Sequence, residues 1–76
     1  MSTKLPRDVS GDQLVRVLER KGWRVHRTKG SHRAMEHPDF APTISVPLHR
    51  ALKTGTLSKI LKVADISREE FRRLLR

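Results

Sequence analysis

The chain has 76 residues, enough for one domain over residues 1–76 but too few for a two-lobed enzyme with a deep substrate cavity. Seventeen Lys and Arg outnumber eight Asp and Glu, so the formal net charge is +9. The core of so small a domain cannot hold this excess, which must lie on the surface and attract polyanions, nucleic acid first and an acidic protein second.

The first predicted element is a helix that begins after Ser10. Ser10 and Gln13 have the spacing of a capping box, in which each side chain accepts a hydrogen bond from the other residue's backbone N–H. Gly22 is predicted to end the helix, with Trp23 packing back on Leu18 as in a Schellman-type stop.

Three strands are predicted to follow. Apolar and polar residues alternate over residues 23–28, and a tight turn at Gly30 leads into a second antiparallel strand over 31–37. Which side of this second strand faces the core stays open. The two prolines in residues 37–42 indicate a loop, and residues 43–47 then alternate as a third strand.

The chain is predicted to end in two helices. Thr56 is placed to cap the first of them, and Ser67 and Glu70 form a second capping-box pattern. The order is therefore α-β-β-β-α-α, an α+β fold of two layers with a three-stranded antiparallel sheet covered by helices on one face. The other face of the sheet stays exposed, which makes it the expected functional surface.

The turn around Gly30 carries the residues best suited to chemistry on a phosphate. Metal-free RNA cleavage needs one group to take the 2′-hydroxyl proton and another to protonate the 5′-oxygen, and histidine does either near neutral pH. His32 is the predicted catalytic residue, although spacing alone also fits an ordinary exposed strand residue. Lys29, Ser31 and Arg33 are predicted to hold the phosphate, because cationic side chains and the amides near a glycine can approach it closely.

The remaining basic and histidine residues have weaker assignments. Arg24 and Arg27 are predicted to extend the RNA-binding surface along the first strand. His26 is the candidate second acid or base, because it could face His32 across the hairpin. His37 is expected to shape a loop, and His49 is expected to be a solvated linker residue that could still reach the same surface.

Several other kinds of site and location are disfavoured. The sequence has no cysteine, which excludes disulfides, thiol nucleophiles and Cys-based zinc sites. The four histidines are separated by 6, 5 and 12 residues, which fits no compact metal-ligand motif, so we expect neither metal nor cofactor. No apolar run has the form of a signal peptide or a membrane span, so we expect a cytoplasmic protein.

A series of short motifs, in this order and spacing, resembles the HicA toxin family from about residue 10 to about residue 71. The motifs are Gly22-Trp23, Lys29-Gly30-Ser31-His32, His37-Pro38-Asp39, Val46-Pro47, Gly55-Thr56-Leu57 and Ile60-Leu61. The resemblance implies a fold like that of double-stranded-RNA-binding domains and cleavage of messenger RNA without a metal or the ribosome. It also implies that His32 is catalytic and that a HicB-type antitoxin forms a hetero-oligomer with the chain and covers the His32 surface.

Two other functions stay open. One is a non-catalytic module that binds structured RNA through shape and phosphate contacts, and it predicts salt-sensitive binding without cleavage. The other is a basic interaction module that docks an acidic protein, and it predicts little affinity for RNA. The run from Gly30 to His32 favours cleavage, because neither alternative needs a titratable group beside a phosphate-sized turn.

Overall fold

The computed structural model describes residues 5–75, which contain three helices and three strands in the predicted α-β-β-β-α-α order. The elements are α1 Gly11–Arg20, β1 Arg24–Lys29, β2 His32–His37, β3 Phe40–Pro47, α2 Thr54–Val63 and α3 Arg68–Leu74. The strands form one antiparallel sheet in the order β1-β2-β3, so consecutive strands are neighbours. The α+β class predicted from the sequence is confirmed.

Both predicted ends of α1 are confirmed. The Gln13 N–H donates to Ser10 Oγ at 3.1 Å, and the Ser10 N–H donates to Gln13 Oε1 at 2.9 Å. At the other end the Trp23 N–H donates to the Leu18 carbonyl at 3.0 Å, the long bond of a Schellman motif. Gly22 has a φ of 94°, which L side chains rarely adopt, and this explains why the helix ends there.

The core lies between α1, α2 and α3 and one face of the sheet. Trp23 and Phe71 are its largest fully buried side chains, and Met35 on β2 is also fully buried. The open question about β2 is therefore answered: Arg33, Met35 and His37 face the helices, whereas His32, Ala34 and Glu36 face outward. Among residues 5–75 no polar or charged side chain is buried, so the basic charge of that range lies on the surface.

The starts of all three strands differ from the sequence-based predictions, and β2 begins at His32 rather than at residue 31. β1 begins at Arg24 rather than at residue 23. The predicted loop over residues 37–42 is wrong, since β3 begins at Phe40 and only a two-residue turn precedes it. β3 is an edge strand with an irregular register opposite Met35 and His37, and such a position tolerates Pro42.

The predicted cap of α2 is also wrong. The helix begins at Thr54, and its N-cap is Lys53, whose side chain makes no capping hydrogen bond. Thr56 therefore lies within the first turn. The N-cap of α3 is Ser67 as predicted, and its Oγ accepts from the Glu70 N–H at 3.1 Å. Within residues 5–75 none of the helices combines the length and apolar character that crossing a bilayer requires.

Candidate functional site

A two-residue turn closes the hairpin of β1 and β2. Lys29 and His32 are paired across the strands, so Gly30 and Ser31 alone form the connection. Gly30 has a φ of 59°, as the first loop position of a type II′ turn requires. A Cβ built on Gly30 would meet no atom within 4 Å, so glycine is favoured here by the backbone conformation and not by crowding.

Next to this turn, the exposed face of the sheet has an open depression. Its lining residues are Arg27, Lys29, His32, Ala34 and Ser45. Ala34 pairs with Arg27 on one side and with Ser45 on the other, so a small side chain occupies the middle of the sheet. Arg27 and Lys29 make no ion pair with any other residue of the described chain, which leaves both cations available to an anionic ligand.

The segment after β3 brings a second histidine close to His32, although His49 is not one of the residues that line the depression. The imidazole of His49 lies with its ring centroid 6.5 Å from that of His32, at an interplanar angle of 70°. Its backbone carbonyl accepts from the Gly11 N–H at 2.9 Å. The preceding residue, Leu48, donates its N–H to the Ser31 carbonyl at 2.6 Å, so this segment is bonded directly to the hairpin turn.

The four histidines differ in whether their ring nitrogens already have partners. His37 uses both, since Nε2 lies 3.0 Å from the Lys21 carbonyl and Nδ1 accepts from a backbone N–H at 3.0 Å. His26 lies 3.6 Å from a Glu36 carboxylate oxygen. His32 and His49 make no side-chain hydrogen bond within residues 5–75. The two unpartnered imidazoles are therefore the two that lie next to each other.

The chain was compared with models of known protein families. The model described as the HicA toxin of bacterial toxin–antitoxin systems matches residues 11–66. The chain belongs to the HicA toxin family. A search among curated proteins returned no significant match. Family membership assigns the chain a toxin role within a toxin–antitoxin pair.

In this HicA toxin some of the predicted site residues lie together and others do not. Lys29, Gly30 and Ser31 adjoin His32 in the hairpin, and Arg27 lines the same depression. Arg24 pairs with Glu36 near the far end of the sheet and lines a separate depression there.

Two of the predicted residues lie apart from His32. Arg33 faces the helices, where its guanidinium lies 3.9 Å from an Asp12 carboxylate oxygen, and so it cannot share the outer face with His32. His26 lies at the register shift between Val25 and Arg27, and its Nδ1 lies 3.6 Å from a Glu36 carboxylate oxygen. The ring contact of His32 within residues 5–75 is with His49 and not with His26.

His49 is the residue that the sequence-based site omitted. It follows His32 by 17 residues, and no periodicity or motif connects the two. The one signal in the sequence is that His49 comes two residues after the predicted third strand, from which it could reach the same surface. Among residues 5–75 no group of three or more His, Asp or Glu side chains is arranged to hold a metal ion.

Proposed function

We propose that this HicA toxin is an endoribonuclease that cleaves messenger RNA without a metal ion or the ribosome, with His32 as an acid or base. The observation that carries this proposal is the unpartnered, exposed imidazole of His32 in one depression with the unpaired cations Arg27 and Lys29. Imidazole exchanges a proton near neutral pH, and the two cations suit the charge that develops on the phosphate. An open depression also suits a strand of RNA better than a small metabolite.

The proposed reaction is an internal transesterification. The RNA 2′-hydroxyl loses its proton to a base, and its oxygen attacks the adjacent phosphorus. The bond from phosphorus to the 5′-oxygen breaks, and this oxygen takes a proton from an acid. The products are a 2′,3′-cyclic phosphate and a 5′-hydroxyl, so neither water nor a metal is consumed in this step.

The RNA is proposed to lie along the outer face of the sheet. Lys29 and Arg27 contact phosphates beside the cleaved bond, and the backbone around Gly30 and Ser31 approaches a phosphate closely because Gly30 lacks a Cβ. Arg24 would contact a phosphate further along the strand. Arg33, on the other face, would act through the packing of β2 and not through direct contact with RNA.

A HicB-type antitoxin is proposed to cover the same face in a hetero-oligomer within the cytoplasm. The family supplies the toxin–antitoxin pairing. The net charge of +9 supports an acidic contact surface on the antitoxin, because complementary charge accelerates association and would compete with RNA for the same cations.

The proposal is tested by comparing the parent chain with His32→Ala on synthetic RNA in the presence of a chelator. General acid–base catalysis contributes about 10²–10⁴-fold, so His32→Ala should lose cleavage by that factor while RNA affinity and thermal stability stay unchanged. Thr28→Ala is the matched control, because Thr28 is exposed on the neighbouring strand β1 and pairs with the helix-facing Arg33. It should cleave like the parent.

Two results would contradict the proposal. Cleavage by His32→Ala at the parent rate would remove His32 from the chemistry. Salt-sensitive RNA binding by the parent without any cleavage would identify a binding module instead. The same comparison can be made in cells. Induced expression of the parent should arrest growth, and His32→Ala at matched protein levels should not.

A further inference from the structure

We propose that His49 is the second acid–base group of the site, so that His32 and His49 divide the two proton transfers between them. This inference rests on the proposed ribonuclease function. It is carried by the 6.5 Å separation of the two ring centroids and by the lack of a hydrogen-bond partner for either imidazole within the described chain.

The spacing of the two rings suits the reaction. In an in-line displacement the attacking 2′-oxygen and the leaving 5′-oxygen lie on opposite sides of phosphorus. The acid and the base must each reach one oxygen over a hydrogen bond of about 2.6–3.2 Å, with the phosphate between them. Rings in direct contact would leave no room for the phosphate, and rings much farther apart could not both reach it. The positions of His32 and His49 meet both requirements.

The residues around the depression favour the same assignment. Its lining residues include two cations, an alanine and a serine but no carboxylate. A serine hydroxyl does not ionise near neutral pH, whereas an imidazole gains or loses a proton there. His49 therefore supplies a type of group that the lining beside His32 lacks.

The fold also fixes where His49 lies. Its backbone carbonyl is bonded to the first residue of α1, Gly11, and the neighbouring Leu48 N–H is bonded to Ser31 in the hairpin turn. Gly11 has no space for a side chain, because a Cβ there would lie 2.1 Å from the Pro47 carbonyl oxygen. Close contact between α1, the end of β3 and the hairpin turn therefore fixes the position of His49 relative to His32.

In the proposed step one imidazole accepts the 2′-hydroxyl proton as the bond from the 2′-oxygen to phosphorus forms. The other imidazole, protonated at the outset, gives its proton to the 5′-oxygen as the bond from phosphorus to that oxygen breaks. One proton is gained and one is lost across the pair. Exchange with solvent then restores both imidazoles for the next cleavage.

The experiment compares the parent with His32→Ala, His49→Ala and His26→Ala on two RNAs. One RNA is ordinary, and the other carries sulfur in place of the 5′-oxygen at a single linkage. A thiolate leaves without protonation, so the sulfur RNA bypasses the acid but still needs the base. We expect His32→Ala and His49→Ala each to lose about 10²–10⁴-fold on ordinary RNA. One of the two should recover on the sulfur RNA, and the other should not.

The outcomes separate this inference from the proposed function. Three results would show that His49 is not the second group. His49→Ala could cleave ordinary RNA like the parent, or it could lose cleavage only at RNA concentrations below saturation. The third result is that both variants recover, or both fail to recover, on the sulfur RNA. A loss in His26→Ala in place of His49→Ala would restore the assignment expected from the sequence. An inactive parent or an active His32→Ala would instead overturn the proposed function, and this inference with it.

Discussion

Replacing Gly11 by alanine is expected to destabilise the domain, even though alanine is the better helix former. Gly11 is the buried first residue of α1. A Cβ at this position would lie 2.1 Å from the Pro47 carbonyl oxygen and 2.8 Å from the Leu48 Cα. Both are backbone atoms, so no change of side-chain rotamer can relieve the overlap. The segment after β3 would have to move away from the helix.

The size of the effect follows from three contributions. Overpacking a well-packed site costs about 1–3 kcal/mol. Displacement of the segment also removes the hydrogen bond from the Gly11 N–H to the His49 carbonyl, which contributes about 1 kcal/mol. Alanine's helix propensity returns at most about 1 kcal/mol. The net loss is about 1–3 kcal/mol, and each kcal/mol lowers the melting temperature of a domain of this size by roughly 4–8 °C.

Gly55→Ala is the matched control for this prediction. Gly55 also lies in the first turn of a helix, α2, but a Cβ there meets no atom within 4 Å. Gly55→Ala should stabilise the domain by about 0.4–1 kcal/mol, because alanine lowers the conformational entropy of the unfolded chain. Thermal and urea unfolding followed by circular dichroism measure both variants. A Gly11→Ala protein as stable as the parent, or more so, would refute the steric argument.

Three further predictions follow from single contacts or charges. Ser10→Ala removes the capping box of α1 and should cost about 1 kcal/mol in urea unfolding, whereas an unchanged midpoint would show that the cap contributes nothing. Gly22→Ala places a side chain at a φ of 94° and 2.8 Å from His37 Nε2, so it should cost at least about 1–2 kcal/mol in the same assay. Replacing Arg27 and Lys29 together by alanine should make the slope of log affinity for single-stranded RNA against log salt shallower by about 1.4, which fluorescence anisotropy measures, and an unchanged slope would exclude both as phosphate contacts.

The helix ends were predictable from the sequence because their interactions are local. The Ser10 cap, the Gly22 stop and the Ser67 cap each use atoms within five residues of one another along the chain. The residue type at each position therefore carries most of the information. The order of the elements followed from these ends together with the change from helical to alternating periodicity between them.

The start of β3 and the cap of α2 depended on contacts that the local sequence does not encode. Pro42 normally indicates a break in a strand, but an irregular register at an edge strand accommodates it. Thr56 has the residue type of a cap, yet the N-cap of α2 is the extended Lys53, three residues before Thr56. In both cases packing of the chain against the rest of the domain overrode a local preference.

In the candidate site, too, the residues placed by local contacts were predictable from the sequence, and those placed by distant contacts were not. His32 could be chosen from the sequence because a short turn places it beside Lys29, and these residues are neighbours in the chain. The positions of Arg33 and His49 could not be predicted correctly, because the first depends on which face of β2 is buried and the second on the path of the chain after β3. The contact that fixes this path is made by Gly11, outside the site. Close packing at Gly11 thus contributes to placing His49 next to His32.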